Sequence, residues 1–303
     1  MPNKFSIRTP LIPFYGHSNK NIFLKLENLQ PFGSYKIRGV ENIIKNLSKI
    51  ELQNGLVAAS AGNMGQAVAY LAKKYNIPCT ILVPDSAPSI KIKTIRSLGA
   101  NIIKLPYENV WKIVQDGKYP KNPGYFIHPS NNTLLTEGYA SIAKEILVDL
   151  PDLDAIVIPF GVGGLTLGVA SYIRKHNSNI KIYTVEPETS HPLHRLLIRK
   201  DSSFISVRKS IVDAIGTPEV IPSIRDIIRS LVDVPTVSTV DQVKSAISTL
   251  FNKHHIIAEG AGAASFAAAL TDQVSGENIA CIISGGNIDF DKFTELYNEL
   301  DTN

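Results

Sequence analysis

Residues Ala155 to Leu165 read AIVIPFGVGGL, an apolar, largely β-branched run that stops on a glycine cluster and passes directly into a segment of helical spacing, Leu165 to His176. An apolar run without polar alternation is the pattern of a strand covered on both faces, as in a parallel sheet. A strand that feeds a helix through glycines is one unit of an α/β protein. Working outward, similar runs begin at Asn21 (NIFLKLE), Gly55 (GLVAAS), Cys79 (CTILVP), Asn101 (NIIKLP), Gly124 (GYFIHP), Lys181 (KIYTVEP) and Ile279 (IACIIS). Helical spacing recurs between most of them, at Met64 to Tyr75, Ile90 to Leu98, Leu134 to Leu150, Val240 to His254 and Ala261 to Leu270, with a last helix at Asp291 to Leu300. Gly99 and Pro78 stand where two of these helices should stop. The alternation predicts an α/β fold with a mostly parallel sheet. The run from 55 to 131 is self-contained enough to form a smaller inserted domain, leaving 1–54 and 132–303 as a large domain.

The composition agrees. The chain has 303 residues, 44% hydrophobic and 19% charged, with 31 Lys and Arg against 27 Asp and Glu for a net charge of +4. That is enough chain to bury a sizeable core, which excludes a disordered chain or a disulfide-held miniature. The basic residues are scattered, without the Lys/Arg blocks and interleaved aromatics of a nucleic-acid binder. Cys79 and Cys281 lie far apart within apolar runs, so neither a CxxC metal knuckle nor a disulfide framework is expected. No stretch of about 18 apolar residues marks a membrane span, and MPNKFSIRTP lacks the apolar core of a signal peptide, so a cytoplasmic protein is expected.

In open parallel sheets ligands gather where loops leave the carboxyl ends of strands. Four such loops are unusual. Gly161, Val162, Gly163, Gly164 and Leu165 turn backbone N–H groups toward one point at a helix start, which suits an anion or phosphate. The nucleotide fingerprint GxGxxG fails because Thr166 occupies its last glycine position, and GxxxxGK[ST] is absent. Taken alone, the cluster is also compatible with an empty tight turn. Ser60, Ala61, Gly62, Asn63 and Met64 open another helix, where free N–H groups suit a carboxylate and the Asn63 amide suits an oxyanion; a plain N-cap is the alternative. QPFGSYKIRG, from Gln30 to Gly39, places Lys36 at a helix mouth among small and aromatic residues, where it is either an amine nucleophile or an ordinary exposed lysine. Ser284 to Asn287 (SGGN) is ambiguous alone.

Together, LENLQPFGSYKIRG, SAGNMGQ, GVGGL, EGAGAAS and SGGN, in this order, resemble the fold-type II pyridoxal-phosphate (PLP) enzymes, in their serine/threonine dehydratase and serine racemase branch. The likeness runs from about Thr9 to about Asp289. It implies a tryptophan synthase β-like fold, with two open, twisted, mostly parallel sheets flanked by helices. It also implies a lyase of amino-acid metabolism that removes water from L-serine or L-threonine to give a 2-oxo acid and ammonia. In the resemblance Lys36 stands at the Schiff-base lysine and acts as base at the substrate Cα. Gly161 to Leu165 match the phosphate loop, with Val162 replacing one glycine. Asn63 matches the residue bonded to the cofactor 3′ oxygen, and Ser60, Ala61, Gly62, Asn63 and Met64 match the substrate-carboxylate loop. Tyr35 takes a place usually held by Phe. Ser284 matches the partner of the pyridine nitrogen; a hydroxyl is too weak an acid to protonate that nitrogen, and the weaker electron sink favours elimination over transamination. The family usually forms homodimers.

Several departures bear on the branch. Racemases carry a serine on the far face of the cofactor where this chain has Ala61, and a methyl group donates no proton, so racemisation should be weak. Racemase-like members hold a divalent cation through a Glu matched here by Glu186, but Pro192 occupies the second, acidic position, so no required metal is expected. Glu259 in AEGAGAAS reads equally as support behind the cofactor or as a buried helix-cap carboxylate. The rivals are a serine racemase, a β-replacement enzyme of the cysteine synthase kind, and a degenerate PLP-fold binding protein.

Overall fold

The computed structural model describes residues 5–16 and 18–301, with side chains as far as Leu296. Strand β7 (Ala155–Pro159) shows how the molecule is layered. Ile156 and Ile158 point into one apolar cluster and Ala155 and Val157 into a second on the other face, so the unbroken hydrophobic run is what a doubly covered strand requires. Around it the strands β1 (Leu11–Pro13), β2 (Asn21–Lys25), β10 (Asn278–Ile282), β8 (Lys181–Pro187) and β9 (Val234–Ser238) complete a six-stranded sheet in the order β1-β2-β10-β7-β8-β9. Only β1 runs antiparallel to its neighbour. A second, all-parallel sheet of four strands, in the order β5-β4-β3-β6, is built from β3 (Leu56–Ala59), β4 (Cys79–Pro84), β5 (Asn101–Leu105) and β6 (Tyr125–Phe126). The fold is therefore α/β with two mostly parallel sheets flanked by helices.

The helices are α1 (Lys36–Asn46), α2 (Lys49–Gln53), α3 (Asn63–Tyr75), α4 (Ser89–Ser97), α5 (Tyr107–Asp116), α6 (Thr133–Asp149), α7 (Gly164–His176), α8 (Pro192–His194), α9 (Arg225–Leu231), α10 (Val240–His254), α11 (Gly260–Ala269) and α12 (Phe290–Asp301). Their ends follow local chemistry: Thr239 and Gln242 form a capping box on α10, Asn132 caps α6, and α3 closes on Asn76 in the left-handed conformation. Helix α6 packs between α1 and α7. Among the described residues, no helix is long and apolar enough to cross a membrane. Both cysteines are free.

Two strands and several helices go beyond the sequence reading. β1 and β9 are the edges of the large sheet and contain Pro13 and Pro235, residues that read as strand breakers but are tolerated where one side of the ladder is open. The run expected from Gly124 to Pro129 contributes only two strand residues, because His128 Nδ1 accepts from the backbone of Ser130 and Asn131 and turns the chain. Helices α2, α8 and α9, of 5, 3 and 7 residues, are too short to show a period, whereas α5, at 10 residues, has one that the sequence reading passed over.

Candidate active site

The four loops singled out in the sequence meet. Those after β2, β3, β7 and β10 contribute to one cavity of about 500 Å³, whose lining includes Tyr35, Lys36, Ser60, Ala61, Gly62, Asn63, Met64, Gly161, Val162, Gly163, Leu165 and Ser284. Gly164 stands behind the wall; a Cβ there would lie 2.2 Å from the carbonyl oxygen of Pro129. Strand β10 lies beside β2, and their loops are laced together: Ser34 pairs with Gly285, Tyr35 N donates to Ser284 O at 3.2 Å, and Gly286 N donates to Gly33 O at 2.9 Å. This places Ser284 beside the segment that carries Lys36.

Lys36 is the first residue of α1. Its Nζ lies 4.6 Å from the Tyr35 ring centroid and 6.0 Å from that of Tyr139, and among the described residues no carboxylate pairs with it. Two residues on, Arg38 fastens the helix from below. Its Nε and Nη2 bond Glu27 at 2.7 and 2.8 Å, and its Nη1 and Nη2 bond Glu145 at 2.7 and 2.8 Å. Lys25, fully buried, completes the cluster with Glu145 at 2.6 Å and the carbonyl of Thr9 at 2.7 Å. Two cations and two carboxylates thus balance beneath the lysine.

Asn63, the first residue of α3, donates from Nδ2 to Glu259 Oε1 at 2.6 Å, and its Oδ1 accepts from Asn287 Nδ2 at 2.8 Å. Asn287 also donates to Phe32 O at 3.0 Å. The amide is fixed on both sides and keeps one N–H for a ligand. Glu259 occupies the N-cap position of α11 yet caps nothing with its side chain, so the site-support reading replaces the helix-cap one. Burial pushes its carboxyl up to about 7, assisted by Asp213 and opposed by Asn63, Lys91 and Lys36.

At the glycine loop, Gly163 has φ +88°, which a residue with a side chain rarely adopts, and α7 begins without a side-chain cap. A helix start that has no side-chain cap and opens on a left-handed glycine leaves free N–H groups that suit a phosphate. Ser284, buried, donates only a long 3.4 Å bond to Ala261 O, a weak hold from which its hydroxyl can turn to donate to a ring nitrogen. An amine, a hydroxyl, an amide and an anion cradle around one cavity are the donor set that a phosphorylated pyridine aldehyde needs. The residues fit that group.

Glu186 accepts from the backbone of Leu193 and His194 at 2.8 and 2.7 Å, and burial pushes its carboxyl up to about 8 against those two bonds. Among the described residues, no group of three His, Cys, Asp or Glu side chains converges as a metal site would require. The sequence reading missed the wall made by Tyr107, Val110, Trp111 and Val114 of α5 and the cavity residues Lys91 and Asp213. The 107, 110, 111, 114 spacing was the available signal for the first group.

The comparisons with known proteins agree with this geometry. Residues 4–285 match the family described as pyridoxal-phosphate dependent enzyme. The chain is 36% identical over 285 residues to an L-threonine ammonia-lyase of Thermotoga maritima, covering 92% of this chain and 70% of that one. It is 32% identical over 295 residues to a catabolic L-threonine dehydratase of Staphylococcus aureus, covering 94% and 85%. Among solved structures, maize serine racemase superposes with a TM-score of 0.86 at 28% identity, covering 98% of this chain and 94% of that one. With its lysine, amide, hydroxyl and anion cradle gathered in one cavity, the chain belongs to the pyridoxal-phosphate dependent enzymes.

Proposed function

We propose that the protein is a PLP-dependent lyase that removes water from a β-hydroxy L-amino acid, L-serine or L-threonine, to yield a 2-oxo acid and ammonia. The observation that carries this reading is the convergence of Lys36, Asn63, the glycine loop and a serine, rather than an acid, at position 284. When bound, PLP supplies an electron sink conjugated to the substrate Cα. Lys36 anchors the cofactor and its Nζ takes the Cα proton. Gly161 to Leu165 would hold the phosphate through backbone N–H groups, with Val162 losing no donor, and Tyr35 would flank the cofactor. Asn63 would donate its remaining N–H to the cofactor phenolic oxygen, held in register by Glu259 and Asn287. The N–H groups of the 60–64 loop would grip the substrate carboxylate. Ser284 hydrogen-bonds a heterocyclic nitrogen without charging it, which favours loss of the β-hydroxyl over reprotonation at carbon. Ala61 places a methyl group, not a proton donor, in the cavity, which argues against the racemase reading.

Incubation with L-serine or L-threonine and added PLP should release pyruvate or 2-oxobutanoate with equimolar ammonia. Lys36→Ala should lower the rate by about 10³-fold or more, on the scale of a lost acid–base group. Retained turnover in that variant would refute the assignment.

The same proposal includes a small domain at 55–131 within a large domain of 1–54 and 132–303; the four-stranded sheet, built from residues between Leu56 and Phe126, supports it. It also includes a cytoplasmic homodimer that needs no divalent metal. Sedimentation, cell fractionation and a chelator control test these points.

A further inference from the structure

The remaining wall of the cavity is one helix face. α5 presents Tyr107, Val110, Trp111 and Val114 to the cavity, the spacing of neighbours along a helix. α5 packs on β3 and β4 of the four-stranded sheet, but the hold on Trp111 comes from the other side of the cleft. Glu219, only 8% exposed, lies on the connection between β8 and β9. Its Oε1 accepts from Gln115 Nε2 at 2.6 Å and from Trp111 Nε1 at 3.3 Å. Its Oε2 accepts from Arg225 Nη2 at 2.9 Å, and Arg225 Nε donates to Val220 O at 3.0 Å. The guanidinium therefore fixes the carboxylate to its own segment, and the carboxylate fixes α5. The same segment supplies Asp213, which makes a second tie across the cleft to Lys91 of α4 at 3.1 Å.

Val110 and Val114 offer a substrate no polar atom, and the indole N–H of Trp111 is already engaged. From Val110 to Val114 the wall can discriminate by size but not by hydrogen bonding, and a size wall is selective only while it is held still. We propose that Glu219 is a positioning residue that clamps the Trp111 indole over the cavity, so that the clamp limits the β-substituent to the hydrogen or methyl of serine and threonine and excludes an aryl group. The selectivity part rests on the dehydratase reading above; the clamp itself does not.

Trp111 is the single tryptophan of the chain, so its fluorescence reports its own mobility. The experiment compares PLP-loaded wild type with Glu219→Ala and Gln115→Ala in two measurements: acrylamide quenching, and kcat and KM for L-serine, L-threonine and L-threo-3-phenylserine. Gln115 is exposed, so its variant carries the test if Glu219→Ala does not fold. The expected result is at least a twofold rise in the quenching constant. The phenylserine-to-serine ratio of kcat/KM should rise at least tenfold in Glu219→Ala and less in Gln115→Ala, with cofactor content unchanged. A purely structural tether would lower all three substrates alike. Unchanged quenching, or a ratio within twofold of wild type, overturns the proposal. If wild type dehydrates none of the three, the dehydratase reading fails and the selectivity part falls with it, while quenching still decides whether Glu219 holds Trp111.

Discussion

Replacing Arg38 by Met tests whether the charge cluster beneath Lys36 holds the site together. Arg38 is 4% exposed and Glu27 is fully buried, while Glu145 is partly so. Removing the guanidinium keeps a side chain of comparable length but leaves Glu145 with Lys25 as its one cation among the described residues and Glu27 with the neutral donors Thr9 and Gln30. Deleting one partner of a buried pair costs about 3–5 kcal/mol, mostly because the remaining charge is left uncompensated. For a chain somewhat longer than 250 residues, about 2 °C per kcal/mol turns this into a drop of roughly 6–10 °C in the unfolding midpoint. The assay is thermal unfolding of wild type and Arg38→Met at pH 7 and pH 4. Burial raises the Glu145 carboxyl, but Arg38 and Lys25 overcome that and hold it below its ordinary value in the wild type. Its folded value is thus depressed, so it stabilises the wild type above the unfolded value near 4.5 and ceases to do so as pH falls through the folded one. In the variant the Glu145 carboxylate, freed of Arg38, can be neutralised in acid, so the gap between the two proteins should narrow at pH 4. For contrast, the Arg8–Asp149 pair, with side chains 54% and 30% exposed, should cost under about 1 kcal/mol when Arg8→Ala removes it. A midpoint for Arg38→Met within 2 °C of wild type at pH 7, on the scale of about 1 kcal/mol, would refute the reasoning.

Three further outcomes follow from the site. Folded values of about 7 for Glu259 and about 8 for Glu186 lie above the unfolded carboxylate value of 4.5. Cofactor-free protein should therefore be more stable near pH 4.5 and lose stability as pH rises from there toward 7 and 8, where the loss is complete; Glu259→Gln should remove the part that ends near 7, roughly 2 kcal/mol between pH 5 and pH 7.5, in midpoints compared at those two values. Ala61→Ser should add a hydroxyl to the cavity and raise D-serine formation relative to pyruvate at least tenfold by chiral chromatography; an unchanged ratio would mean that residue 61 does not face the substrate Cα. Gly163→Ala should weaken phosphate-dependent cofactor retention and lower stability by about 1–2 kcal/mol, since Ala resists a φ of +88°; a variant equal to wild type in equilibrium dialysis would show that the turn is not under that constraint.

What the sequence made legible was what depends on near neighbours along the chain. Doubly buried strands such as AIVIP declare themselves by unbroken apolar runs, and the loops after them by glycine next to a helix start. The edge strands β1 and β9 did not, because β1 has only three residues and Pro235 within β9 contradicts strand propensity and is tolerated at a sheet margin. Likewise nothing local ties Asn63 to Glu259 or to Asn287, partners 196 and 224 residues away. Glu259 could be read as a cap or as site support until the fold brought Asn63 against it. Trp111 was hidden differently: its helix could be read from its period, but the carboxylate that holds it lies 108 residues further on, across the cleft.

The placement of β10 between β2 and β7 has a consequence for biosynthesis. A ribosome that has released the chain through β9 has made the lysine at 36 and the glycine cup, yet the sheet carrying them is still split, with β2 lacking its parallel neighbour. Closing that gap requires a strand made almost 260 residues after Asn21, a long-range step that is slow for any chain. Nascent protein should therefore take up vitamin B6 only after Ile282 has been translated, and until then it exposes two unpaired strand edges to whatever chaperone is at hand.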